Sequence, residues 1–236
     1  MHHGREPGDP LVLGAPWDAA SARAFADAGF PALATSSAAT AAALGYEDGE
    51  HTPPAEMFAA VARIVRAVDV PVSADVENGY GLPPRELAER LLEAGAAGCN
   101  LEDSAPGGRL LEPERHADRL AALSEAAGGQ LFLNARVDTF LFGDGSVSDA
   151  LSRGRRYLRA GAECVFPILA PPEHLPELAA GLDAPLNALA GPDSGPRPRE
   201  LGELGATRVT FGGGVQQAVT GLLRDLIRGL RGPGRP

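Results

Sequence analysis

The 236-residue sequence predicts an α/β protein, a (β/α)8 TIM barrel that occupies residues 1–236 as one domain. Three observations favour this fold. Eight short apolar runs alternate with longer segments of helical period, the runs are apolar throughout rather than at every second residue, and a helix–glycine–strand unit recurs. Unbroken apolarity is typical of parallel strands that helices cover on both faces. Eight βα units usually take roughly 250 residues.

The eight predicted strands follow one another at intervals that each leave room for a helix. Four of them come directly after an Ala-Gly or Leu-Gly pair, in DAGFPALAT, EAGAAGCNLE, RAGAECVFPI and ELGATRVTFG, where glycine suits the left-handed residue that ends a helix. No G-x-G-x-x-G follows the first run, which weakens the alternative of a doubly wound open sheet. Residues 1–9 and 232–236 are expected to be flexible. The strands are predicted at residues 11–16, 31–36, 70–75, 98–103, 131–138, 164–169, 185–190 and 208–213.

Charge and composition argue against several classes of partner. A net charge of −10 and a pI of 5.0 disfavour nucleic acid and anionic membrane surfaces. The first residues are polar, and no apolar stretch reaches the roughly 18 residues of a membrane span, so we expect no signal peptide, no membrane and a cytoplasmic location. Cys99 and Cys164 lie in apolar runs and are expected to be buried free thiols.

Acidic residues gather at the carboxyl ends of neighbouring predicted strands, where barrel enzymes place their chemistry. Asp75 and Glu77 end the third strand, and Glu102 ends the fourth. Residues i and i+2 of a strand share a face and neighbouring strands lie about 4.8 Å apart, so these carboxylates should crowd together, with Arg136 as the strong cation nearby. Carboxylates that close need protonation, pairing or a bound ion. Oxygen ligands favour a hard cation, and we predict a Mg2+ site, with Mn2+ as the alternative ion.

Residues 35–50, TSSAATAAALGYEDGE, predict an anion site. Hydroxyl residues at the start of a helical segment leave backbone amides free for a carboxylate or phosphoryl group. The alternative is a plain helix N-cap. Asp48 and Glu50 follow on a loop that we expect to fold over the barrel mouth, and residues 102–115 form a second, Pro-Gly-Gly loop suited to gating.

Other polar residues at strand ends have two interpretations. Trp17 and Asn187 fall at the same rim as the acids, and so do Asp103 and Asp138. For Asp103, Asp138 and Asn187, the alternative to a functional role is an ordinary strand-end residue that satisfies loop amides.

Five stretches of the sequence occur in a characteristic order, WDAASARAFADAGFPALATSSAATAAALGYEDGE, SADVENGYG, NLEDS, NARVDTFL and NALAGP. Together they resemble the isocitrate lyase/phosphoenolpyruvate mutase superfamily, from about residue 11 to about residue 215. The resemblance implies a phosphoenolpyruvate/pyruvate-type barrel, here with a shortened C-terminus, and bound Mg2+. It also implies a small carboxylate or phosphonate substrate, an enolate-like or oxyanionic species, and a homodimer or homotetramer.

The resemblance also implies individual roles. Asp48 matches the loop aspartate near the metal's water shell, Asp75 and Glu77 match the paired acids of the DADTGYG motif, and Glu102 matches the acid of the LED motif. Arg136 matches the arginine that steadies negative charge on the substrate. The predicted site comprises catalytic Asp48, Glu102 and Arg136, substrate-binding Trp17, Ser36, Ser37, Ala38, Arg136 and Asn187, and metal-binding Asp75, Glu77 and Glu102.

Departures from the family pattern bear on the reaction. Isocitrate and methylisocitrate lyases carry a K-x-C-G-H loop where this sequence reads SAPGGRLLEPER, and the mutases follow their acid with lysine where this one reads EDS. We predict a lyase that makes or breaks a C–C bond alpha to the carbonyl of a small 2-oxo or 2-hydroxy acid. P–C bond chemistry and a non-catalytic small-acid-binding relative are the alternatives. Tyr46, Tyr80 and a metal-bound water are all candidates for the proton donor.

Overall fold

Eight parallel strands form the centre of the protein in a computed structural model that describes residues 1, 2 and 4–230. The barrel strands are β1 Leu11–Val12, β2 Leu33–Ala34, β3 Val72–Asp75, β4 Gly98–Glu102, β7 Phe132–Val137, β8 Cys164–Pro167, β9 Asn187–Leu189 and β10 Arg208–Thr210. One sheet has the order β2-β3-β4-β7-β8, and a second has the order β1-β10-β9. Parallel bridges from Gly14 to Leu33 and from Val165 to Leu186 join the two sheets into a closed barrel, as predicted.

Helices separate the strands and pack around the barrel. Leu87 and Leu91 on one helix and Leu120 and Leu123 on the next are fully buried, at the i, i+3 and i+4 spacings of an apolar helix face. The α-helices are α1 Ala19–Asp27, α2 Ser37–Leu44, α3 Pro54–Val65, α4 Pro84–Glu93, α5 Pro113–Ala127, α6 Thr139–Phe142, α7 Val147–Arg159, α8 Leu175–Leu182, α9 Pro198–Glu203 and α10 Gly214–Leu230, with a short 3-10 turn at Pro172–His174.

The repeated glycines end helices as predicted. Gly29, Gly95, Gly161 and Gly205 follow α1, α4, α7 and α9 and all have positive φ values, between +78° and +105°. That backbone conformation costs glycine little, so each helix stops and the chain turns into the next strand.

A small antiparallel hairpin interrupts the βα pattern after β4. Its strands are β5 Ser104–Ala105 and β6 Arg109–Leu110, and Gly107 and Gly108 turn between them with φ values of +86° and +80°. The stretch that we expected to be a flexible gating loop is therefore a hairpin over the carboxyl ends of the strands.

The two ends of the chain relate differently to the barrel. Residues 1, 2 and 4–9 contain no helix or strand, yet the His2 ring stacks on Phe132 with centroids 3.8 Å apart. The predicted flexibility of residues 232–236 lies outside the described residues. Among the helices of residues 1, 2 and 4–230, none combines the length and apolarity that crossing a membrane requires. Cys99 and Cys164 are buried free thiols, as predicted.

Candidate active site at the carboxyl ends of the strands

Two neighbouring cavities lie along the barrel axis, and Arg136 lines both of them. The outer cavity lies beneath the hairpin, and its lining includes Asp48, Glu77 and Glu102. The inner cavity reaches down into the barrel, and its lining includes Asp75 and Asn187. The structure therefore brings the predicted acids and the predicted arginine to one place.

Asp75 ends β3 and is fixed by the chain that follows β2. Its Oδ2 accepts a hydrogen bond of 3.1 Å from the backbone amide of Ser37, the first residue of α2. Its own amide donates to Thr35 Oγ1 at 2.9 Å. These two contacts fix the position of Asp75 beside the inner cavity.

Glu77 is hydrogen-bonded to the loop that carries Asp48. Its Oε2 accepts hydrogen bonds from the backbone amides of Gly49, at 2.9 Å, and Glu50, while the Tyr80 hydroxyl donates to Oε1 at 3.1 Å. Glu77 also has a left-handed φ of +50°, which directs its side chain away from the strand path. Burial and the negative charges of Asp48 and Asp75 raise the pKa of Glu77 to about 7. The side chain of Glu77 therefore contacts the loop and Tyr80, and its place in a metal site stays a prediction.

Asp48 lies between these carboxylates. Burial and the charge of Asp75 raise its pKa, whereas a hydrogen bond from the Ser37 side chain and the charge of Arg136 lower it. Asp48 thus faces the acids of β3 and β4. This position agrees with the prediction that its loop folds over the barrel mouth.

Arg136 on β7 pairs with carboxylates on two sides. Its Nη1 lies 2.7 Å from Glu102 Oε2, across the β4–β7 register pair, and its Nε lies 2.6 Å from Asp138 Oδ1. Burial raises the pKa of Glu102, and Arg136 opposes that increase. Both partners are nearly enclosed, so the guanidinium has one defined orientation toward the cavity.

A buried network behind β4 and β7 holds Asp138 in place. Asp138 accepts a hydrogen bond from the Ser104 hydroxyl, and its amide donates to Asp103 Oδ1 at 2.8 Å. Asp103 in turn accepts from Tyr157 Oη at 2.7 Å and from Arg153 Nη1 at 3.1 Å. Asp103 therefore helps to hold Asp138 beside Arg136. The alternative role predicted for Asp103, an acceptor for a loop amide, accounts for only one of these contacts.

The remaining predicted substrate-binding residues have separate surroundings. Ser36 caps α2, with its hydroxyl accepting from the Ala39 amide at 3.3 Å, which is the alternative that the sequence left open. The Ser37 amide already donates to Asp75, as described above, and Ala38 packs against the chain near Gly213. Trp17 is half-buried at the start of α1 and is not among the residues that line the two cavities.

The carboxylates carry more negative charge than the protein groups around them neutralise. Burial and the charge of Asp75 raise the pKa values of Asp48, Glu77 and Glu102, and the charge of Arg136 lowers those of Asp48 and Glu102. Within the described residues, no group of three or more histidine, cysteine, aspartate or glutamate side chains is arranged closely enough to hold a metal ion. Mg2+ characteristically takes only one or two carboxylates and keeps several waters. Because one or two carboxylates are enough, these oxygen ligands with their excess negative charge fit a hard cation, although the described residues contain no group of three.

Comparisons with known proteins found a matching family model and several similar proteins. The family model of phosphoenolpyruvate phosphomutase matches residues 2–231. A Mycobacterium tuberculosis (strain CDC 1551 / Oshkosh) protein without an assigned function is 35% identical, over 90% of this chain and 80% of its own. A solved structure of a phosphonomutase candidate from Burkholderia cenocepacia J2315 is 40% identical, with a TM-score of 0.88 over 94% of this chain and 95% of that one. A 2-methylisocitrate lyase from Halalkalibacterium halodurans is 29% identical, over 85% of this chain and 66% of its own.

Proposed function

Because the chain belongs to the phosphoenolpyruvate phosphomutase family, within the isocitrate lyase/phosphoenolpyruvate mutase superfamily of lyases and mutases, we propose that it is a Mg2+-dependent carbon–carbon lyase. The bond made or broken lies alpha to the carbonyl of a small 2-oxo or 2-hydroxy acid, and an enolate-like species forms on the substrate. The observation that carries the proposal is the convergence of Asp48, Asp75 and Glu102 around Arg136, which lines both of the neighbouring cavities.

The composition favours this chemistry over imine formation. Carbonyl compounds can be cleaved through a Schiff base with a lysine amine, but the sequence contains no lysine. Stabilisation of the developing oxyanion then falls to a cation and to fixed hydrogen-bond donors. Arg136 supplies a fixed guanidinium, and the acids supply the ligands for a metal ion.

Asp75 would contact the Mg2+ or Mn2+ ion directly, and Asp48 and Glu102 would bind waters of its shell. When bound, the ion supplies positive charge beside the oxygen on which negative charge develops. Arg136 binds the carboxylate of the substrate and keeps its orientation, because Asp138 and Glu102 fix the guanidinium from two sides. The hairpin and the loop at Asp48 enclose the outer cavity and limit the access of water to the charged species.

P–C bond chemistry on a phosphonopyruvate-like substrate is the second candidate. The match to the phosphomutase family and the similarity to the phosphonomutase candidate favour it. The residues after Glu102 separate this chain from both kinds of enzyme, because SAPGGRL contains neither a cysteine nor a lysine. A substrate screen must therefore include acids for both reactions.

Binding of an enolate mimic tests the proposal. Thermal unfolding is measured with Mg2+, with oxalate and with both, and the pair should raise the midpoint more than either alone, because both bind the folded state at one site. Phosphonopyruvate, oxaloacetate and several 2-hydroxy diacids are then assayed for turnover with Mg2+. Turnover of phosphonopyruvate, but of none of the other acids, would favour the second candidate. A chain that responds to no combination would be the non-catalytic relative.

Asp75→Asn should abolish the joint response to Mg2+ and oxalate and any turnover, because it removes the carboxylate proposed to contact the ion. Asp69→Asn is the matched control, since Asp69 is exposed and the same charge is lost. An Asp75→Asn protein that still responds as the parent does would contradict the metal site. We further propose that the enzyme acts in the cytoplasm as a homo-oligomer.

A further inference from the structure

Arg208 places a positive charge inside the barrel, and the proposed reaction does not use it. It begins β10, its side chain is 1% exposed, and it lines the inner cavity. Barrel interiors are usually filled with branched apolar residues. A guanidinium at such a position is costly unless an opposite charge compensates it.

The surroundings of Arg208 offer neutral polar groups and an aromatic ring rather than a counter-charge. Nη2 lies 3.4 Å from Ser73 Oγ, Nη1 lies 3.5 Å from His2 Nε2, and the guanidinium lies 6.0 Å from the centroid of the Phe132 ring. Within residues 1, 2 and 4–230, no carboxylate approaches Arg208 to within ion-pair distance. Burial lowers the pKa of the guanidinium, although arginine remains protonated in proteins.

Two buried donors next to each other lack acceptors among the described residues. Arg208 Nε has no hydrogen-bond partner, and neither does Nδ2 of Asn187, the register neighbour of Arg208 on β9. The Thr210 hydroxyl donates to Asn187 Oδ1 at 3.4 Å, which leaves Nδ2 as the free end of the amide. Both side chains line the same cavity, so one acceptor there can serve both donors.

The size of the cavity limits what that acceptor can be. Its volume is about 40 Å3, whereas one water needs roughly 10–15 Å3. The space therefore takes one small anion or a few waters. Waters would satisfy the two donors, but they would leave the charge of Arg208 uncompensated.

We propose that Arg208 and Asn187 bind a small monovalent anion of the size of chloride inside the barrel. The bound anion neutralises Arg208 and accepts hydrogen bonds from Nε of Arg208 and Nδ2 of Asn187. The anion lies in the cavity that Asp75 and Arg136 also line, and it contacts Asn187, a predicted substrate-binding residue. Its test is measured without Mg2+ or substrate, so the outcome does not depend on the lyase proposal.

Anion exchange tests the site in solution. Thermal unfolding is compared in sodium chloride and in sodium gluconate at equal ionic strength, because gluconate is too large for the cavity. The parent should unfold a few degrees higher in chloride, on the order expected for a ligand well above its Kd, and the shift should saturate. Arg208→Met should lose this difference. Arg85→Met, which removes an exposed arginine, should keep it.

A crystal of the parent soaked in bromide keeps the proposal testable if Arg208→Met fails to fold. An anomalous peak in contact with Arg208 Nε and Asn187 Nδ2, together with the chloride shift in solution, would support the site. A cavity that contains only waters would overturn it, and so would a chloride shift that is the same in parent and Arg208→Met.

Discussion

Asp138 is one of the two carboxylates that fix the orientation of Arg136. It is fully buried, accepts from Arg136 Nε, and is itself held by Asp103 and Ser104. Asp138→Asn keeps the shape but removes the charge that fixes the guanidinium. We expect the affinity for oxalate with Mg2+, and turnover of any substrate found in the screen, to fall by roughly ten- to a hundred-fold, as misplacement of a binding group does.

The control for this change is Asp118→Asn, which removes an exposed carboxylate on α5 and should leave oxalate affinity unchanged. A circular dichroism melt distinguishes a positioning role from simple unfolding. If Asp138→Asn is folded and binds oxalate as tightly as the parent, then Asp138 does not position Arg136.

His116 makes the stability of the protein depend on pH. It is fully buried on α5, and burial, with the charges of Arg119 and Arg153, lowers its pKa to about 3. The unfolded chain takes up the proton near pH 6.5, so His116 contributes stability above that pH and loses it progressively as the pH falls toward 3. The loss amounts to at most about 1.4 kcal/mol per pH unit.

His116→Phe should therefore flatten the dependence of the unfolding free energy on pH between about 6.5 and 4, with an aromatic ring still in contact with Tyr157. Urea unfolding at several pH values measures that slope. His51→Ala, which removes an exposed histidine, should leave the slope intact. An unchanged slope in His116→Phe would mean that other groups cause the acid sensitivity.

Among the elements, the helix–glycine–strand units give the sharpest stability prediction. Gly205 has a φ of +105°, and a Cβ at this position would lie 2.6 Å from the Cβ of Ala179 on α8. We expect Gly205→Ala to lower the unfolding free energy by about 1–3 kcal/mol, because left-handed strain and a contact with α8 add together. Gly221→Ala in α10 is the control, since it meets nothing within 4 Å and should stabilise by about 0.5–1 kcal/mol. Urea melts of both variants check the contrast, and equal effects would contradict it.

The strands of the barrel could be predicted because their apolar runs are unbroken. All eight predicted runs contain one barrel strand, although each run is longer than its strand; residues 185–190, for example, contain β9 at Asn187–Leu189. The hairpin of β5 and β6 could not be predicted, because two-residue strands leave no hydrophobic period. Only PGG marks the turn, and we interpreted it as a flexible loop.

The candidate site could likewise be predicted only in part. Asp75, Glu102 and Arg136 could be placed together because strand ends of a closed barrel share one rim. The attachment of Glu77 to the loop could not, because it depends on a left-handed backbone angle at a non-glycine residue. Arg208 was missed altogether, and its signal in the sequence is an arginine within the apolar run TRVTFG.

At the scale of the whole molecule, the notable feature is helix α10, which exposes an apolar face within the described residues. Val219, Leu222, Leu223, Leu226, Ile227 and Leu230 recur at the spacing of a single helix face, and they are 45–78% exposed. A contiguous apolar face of this kind marks an interaction surface in soluble proteins. We therefore expect the proposed homodimer or homotetramer to use this α10 face, with a second copy of the chain as its partner.

Leu222→Glu combined with Leu226→Glu should dissociate the assembly, because two carboxylates would be buried at the interface without partners. Sedimentation equilibrium at micromolar concentration measures the mass, and the melting midpoint of the parent should rise with protein concentration while that of the double variant should not. Arg224→Glu is the matched control, since it lies on the exposed polar side of α10 and also changes the net charge by −2. A monomeric parent, or a double variant that keeps the parent's mass, would show that the α10 face is not the interface between subunits.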